Sequence, residues 1–70
     1  MQRIVLSRIG VGKVLSVPVE ESAEAADFLT SQLALALDRH YSAELQVSAD
    51  GVVWTVVRSV VGQGGADDGD

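Results

Sequence analysis

Residues 20–41, EESAEAADFLTSQLALALDRHY, decide the fold of this 70-residue chain: they form its one convincing helical segment, and apolar, valine-rich segments flank them on both sides. Pro18 ends the extended run before them, since proline fixes φ and removes a backbone donor. Ser22 is placed to cap the first turn, and Glu20, Glu21, Glu24 and Asp27 put negative charge near the positive end of the helix dipole. Good helix formers follow, five alanines and four leucines, without a glycine, proline, valine or isoleucine. Arg39 and His40 then occupy the last turn, where positive charge suits the dipole.

Spaced at about 100° per residue, Ala25, Ala26, Leu29, Leu33, Ala36, Leu37 and His40 share one arc, with Ala23 and Tyr41 at its margin. That arc is the expected core face, and Glu24, Asp27, Ser31 and Asp38 lie opposite. Phe28 and Leu35 break the division. Seven residues apart, they project together from the outer side, flanked by Gln32 and Arg39. An amphipathic helix with one partner sheet has no need of them.

Working outward, residues 2–19 read as a hairpin. A two-residue turn at Gly10-Val11 places Ile4, Leu6, Leu15 and Val17 on one face, and a turn at Val11-Gly12 keeps the same parity. Arg8 then lies opposite Lys13, a mild like-charge conflict. After the helix, Ala43, Leu45, Val47 and Ala49 alternate with Glu44, Gln46 and Ser48, and Asp50-Gly51 signals a second tight hairpin. That turn would set Val47 opposite Trp54 and Leu45 opposite Val56, facing inward, with Trp54 in the core. Val53, Thr55, Val57, Ser59 and Val61 would face outward. Three valines on a wet face are the second anomaly, in a β-prone stretch whose only charge is Arg58. The expected fold is α+β, ββαββ, with one helix on a four-stranded, mostly antiparallel sheet over residues 1–61. The glycine-rich, acidic residues 62–70 are expected to form a disordered tail.

Composition narrows the function. A domain of this size buries only about 60% of the surface its unfolded chain exposes. Without a cysteine and with a single histidine, it has no disulfide or structural-metal staple, which leaves oligomerisation as the common remedy. The net charge is −5, and three tail aspartates account for all but about −2 of it. Five scattered basic residues form no nucleic-acid-binding face. No apolar run approaches the roughly 18 residues of a membrane span, and no secretory-signal pattern opens the chain. A soluble, cytoplasmic protein with no cofactor, metal, nucleic-acid or membrane partner is expected.

Three motifs invite chemistry. Gly10-Val11-Gly12-Lys13 resembles part of a phosphate loop, but Ser7 stands where the first glycine is needed and Val14 where Ser or Thr is needed. It reads as a turn. His40 and Asp38 are two apart, a spacing that makes side chains diverge on a helix, and no nucleophile is placed beside them. The acidic residues at the helix start read as a solvated, dipole-favoured N-terminus.

The expected function is therefore a non-enzymatic protein-interaction module that forms a homodimer or binds another protein. It would use Phe28, Gln32, Leu35 and Arg39 on the helix and Val53, Val57 and Val61 on the sheet. A second expectation is an acidic inhibitor presenting Glu20, Glu21, Glu24, Asp27 and Asp38 to a partner's basic site. A third is an oligomer with a small-molecule pocket between subunits.

Overall fold

The computed structural model describes residues 1–64 and has the expected ββαββ order. Strands β1 (Gln2–Arg8) and β2 (Gly12–Val19) precede helix α1 (Ala23–Ala36), and strands β3 (Tyr41–Val47) and β4 (Thr55–Val61) follow it. The four strands make one antiparallel sheet in the order β2-β1-β3-β4, and α1 packs on one of its faces.

The first hairpin keeps the expected inner register by a different route. Ile4 pairs with Val17 and Leu6 with Leu15. The turn has three residues, 9–11, closed by the Val11 N–H donating to the Arg8 carbonyl at 2.9 Å, with Gly10 at φ +85°. A bulge at Val14 absorbs the extra residue, so Arg8 faces Gly12 and the conflict with Lys13 disappears.

The second hairpin departs further from expectation. Asp50-Gly51 closes no two-residue turn, and residues 48–54 form a loop instead. Side-chain acceptors within the loop explain it. Ser48 Oγ accepts from the Gly51 N–H at 2.7 Å, while Asp50 Oδ1 accepts from Val52 at 2.8 Å and Val53 at 3.1 Å. Such bonds offer the backbone an alternative to ladder pairing. They also hold the Asp50 carboxyl below its ordinary pKa, the Val52 amide contributing most. Beyond the loop, a bulge at Val57 shifts the register. Leu45 faces Arg58 rather than Val56, and Val47 faces Thr55 rather than Trp54.

Helix α1 begins as expected, with Ser22 Oγ accepting from the Ala25 N–H at 3.1 Å. It ends at Ala36 rather than near Tyr41, which instead opens β3. Leu37 is already extended at ψ 144°, and Asp38 Oδ1 captures the His40 N–H at 2.7 Å. The helix is also rolled from the expected arc. Ala26, Thr30 and Ala34 are buried against the sheet, whereas Leu29, Ala36 and His40 are exposed. Small side chains let the backbone sit close, and Thr30 Oγ1 donates to the Ala26 carbonyl at 2.8 Å, so its hydroxyl is buried with a partner. Ile4, Ala26, Ala43 and Leu45 form the centre of the core, with Leu6, Val19, Leu33, Leu37 and Val60 packed around it.

Residues 62–64, assigned above to the tail, continue the fold. Gly62 donates to the Tyr41 carbonyl at 2.9 Å, Gln63 to Ala34 at 2.6 Å and Gly64 to Leu37 at 2.7 Å. The segment satisfies carbonyls left orphaned at the helix end. A Cβ at Gly62 would collide with the Asp38 carbonyl, and one at Gly64 would lie 2.6 Å from the Leu35 carbonyl. Only glycine allows this approach. The rest of the expected tail, residues 65–70, lies outside the described residues.

Candidate interaction surface

The two flanks of α1 have opposite chemistry. On the β4 side, Arg58 Nε lies 3.2 Å from Asp27 Oδ1 and its Nη2 donates to Ser31 Oγ at 2.5 Å. The bulge at Val57 makes this contact by turning Arg58 to the helix side of the sheet. On the other flank, Leu29, Leu33 and Ala36 wall an open groove of about 430 Å³ whose floor includes Ile4, Val17 and Val19. Glu20, Glu21 and Gln32 supply its polar lining.

The groove exists because one helix is too narrow for this sheet. A helix about 10 Å across covers roughly two strands spaced about 4.8 Å apart. Contacts of α1 concentrate on β3 and β4. On the same face β1 is covered, with Ile4 buried and Leu6 packed against the core, and the bare part is β2, where Leu15 is 50% exposed and Val17 43%. Strand β2 is an edge strand exposed along almost its whole length.

Among the sequence-selected residues, Phe28 and Leu35 are 62% and 63% exposed on the crest of α1, with Gln32 beside them at the groove. Arg39 lies past the helix end. The three valines do not form one row. Val53 sits in the 48–54 loop, at a concavity of about 720 Å³ shared with Met1, Val47 and Thr55. Val57 is the extra residue of the bulge, and Val61 pairs with Ser42.

Trp54 is not in the core. Its ring lies 3.9 Å beneath the Arg3 guanidinium, which Gln46 Oε1 holds at 2.8 Å on the face away from α1. The shifted register of β4 explains this placement. The acidic residues are likewise divided: Asp27 meets Arg58, Asp38 meets His40, and Glu20 and Glu21 line the groove.

Asp38 and His40 do not diverge, because the helix has ended before them. His40 Nδ1 lies 2.7 Å from Asp38 Oδ1, and the His40 backbone N–H bonds the same oxygen. These two bonds, the backbone one first, hold the Asp38 carboxyl below its ordinary pKa. Both side chains are solvent-exposed. Among the described residues, no group of three or more His, Cys, Asp or Glu is arranged to hold a metal ion, and no helix is long and apolar enough to cross a membrane.

Sequence reasoning missed Leu15, Val17, Leu29 and Ala36 as surface residues. The signal was available in the arithmetic of widths: four strands and one helix leave part of a sheet face uncovered. No family model matches the chain, and comparisons with curated proteins and with solved structures likewise return no match.

Proposed function

We propose that this protein is a non-enzymatic protein–protein interaction module that self-associates through α1 and the bare helix-facing side of β2. The carrying observation is the continuity of its exposed apolar surface. This runs from Phe28 and Leu35 on the crest, past Leu29 and Ala36, to Val17 and Leu15. Isolated exposed apolar residues are ordinary, but a contiguous patch marks an interaction site. Fully burying a leucine, valine or phenylalanine contributes about 1.5–3 kcal/mol. For a domain of about 70 residues, whose total stability is some 5 kcal/mol, two or three such burials are a large increment.

The surroundings of the Asp38–His40 pair favour a binder over a catalyst: no hydroxyl or thiol is hydrogen-bonded to it among the described residues. Cysteine-free composition is compatible with work in the cytoplasm. Light scattering and sedimentation equilibrium at tens of micromolar protein, in low and high salt, test the reading. A dimer that persists or tightens with salt is expected, because apolar burial strengthens while charge attraction is screened. A monomer at those concentrations, or a complex that salt dissolves, would overturn it.

A further inference from the structure

Resting on that reading, we propose that the partner is a second copy whose α1 fills this groove, parallel to and in register with the first helix, while the first helix fills the partner's groove. An open groove lies beside α1, with the exposed Leu15 and Val17 of β2 on its outer side, and each copy offers one helix with an uncommitted apolar crest. A single two-fold operation satisfies both needs. It lays Phe28 and Leu35 on the partner's Leu15 and Val17, giving a sheet–helix pair–sheet sandwich with one self-complementary patch.

Symmetry then sets direction. The two sheets must lie on opposite sides of the helix layer, with the helices side by side. The two-fold axis that achieves this runs along the helices, so they point the same way.

The groove flank of α1 carries an independent mark of that arrangement. Ala25, Leu29, Gln32 and Ala36 recur at the 4-3-4 spacing of a helix–helix seam. Gln32 is the one polar member. In a parallel, in-register pair Gln32 meets its own copy, amide to amide, as a buried polar residue at a coiled-coil seam fixes register. In an antiparallel pair centred on this seam it would face Leu29 and leave its amide without a partner.

Area also favours using both surfaces. A stable interface buries about 800 Å² per partner, near a fifth of the 4506 Å² this chain exposes. The sandwich engages the crest, the flank and the groove floor together.

The arrangement has a cost that makes it testable. Glu20, Glu21 and Glu24 of the two copies come close at the same end, so added salt tightens the dimer by screening them.

The chain has no cysteine, so single substitutions report the geometry by disulfide cross-linking under mild oxidation. Ala25→Cys and Ala36→Cys, near opposite ends of the seam, should each cross-link with itself. If only a mixture of the two variants cross-links, the helices are antiparallel and the proposal fails. If Ser16→Cys on the β2 edge cross-links and neither alanine variant does, the copies pair by strand edges and it fails again. Both failures leave self-association intact; only an unmodified protein that stays monomeric overturns the interaction reading as well. As a second variant, Gln32→Glu, which would set two like charges against each other at the seam, should weaken self-association in sedimentation. Unchanged self-association would show that Gln32 does not meet its own copy and would overturn the proposal.

Discussion

Two leucines on the helix-facing side of one sheet make the central comparison of this molecule. Leu45, on β3 beneath α1, is 2% exposed, whereas Leu15, on β2 beside α1, is 50% exposed. Both face the helix side of the sheet, and although Pro18 marks β2 as an edge strand, the position of the helix is what separates their burial. It is drawn over β3 and β4 by the close fit of Ala26, Thr30 and Ala34, by the Asp27–Arg58 contact, and by residues 62–64 bonded to its C-terminal end. The strands under α1 form a core, and β2 beside it is a surface.

The largest expected effect tests that contrast directly. Leu45→Ala should cost about 2–5 kcal/mol in urea unfolding, as for other well-packed leucines. Leu15→Ala, measured at a concentration where the protein is monomeric, should stay within about 0.5–1 kcal/mol, near the range of surface changes. Its effect should appear instead as weaker self-association in sedimentation. Equal losses in the monomer would mean that β2 is as well covered as β3.

A smaller effect is expected from Gly62→Ala, which sharpens the account of what holds the helix in place. The added methyl would meet the Asp38 and Leu37 carbonyls. Overpacking of this kind costs about 1–3 kcal/mol, and each kcal/mol lowers the melting temperature by about 4–8 °C in a domain of this size. An unchanged melting temperature would show that the segment after β4 does not anchor α1.

The smallest effect belongs to the polar flank. Asp27→Asn should cost no more than about 1 kcal/mol and less in high salt, because both Asp27 and Arg58 are close to half exposed. A loss that is larger and insensitive to salt would show that this pair, rather than apolar packing, decides which strands the helix covers.

Much of the fold was legible because it rests on local chemistry. Ser22 caps the helix as its side-chain oxygen allows, Ile4 and Leu6 find Val17 and Leu15 through strand alternation, and Phe28 and Leu35 stand exposed as their helical phase requires. The misread features depend on partners remote in sequence or on competition among hydrogen bonds. Trp54 was expected inside because an Asp-Gly turn would set its parity, yet Ser48 and Asp50 take those backbone donors and Val57 bulges. The helix roll was missed because periodicity gives weight to large apolar residues, whereas close approach to a sheet favours Ala26, Thr30 and Ala34.

By itself, the sequence determined one helix, four strands, their order, and an excess of apolar surface for one helix to hide. Side-chain period and capping chemistry act within a few residues, so a reader of the chain can follow them. Only the tertiary structure decided where that excess lies. Seating α1 over β3 and β4 depends on the residue 62–64 contacts at Ala34 and Leu37, on Arg58 reaching Asp27, and on β1 pairing with β3. Those contacts join residues about 27 to 45 apart in sequence, and local pattern has no term for such separations.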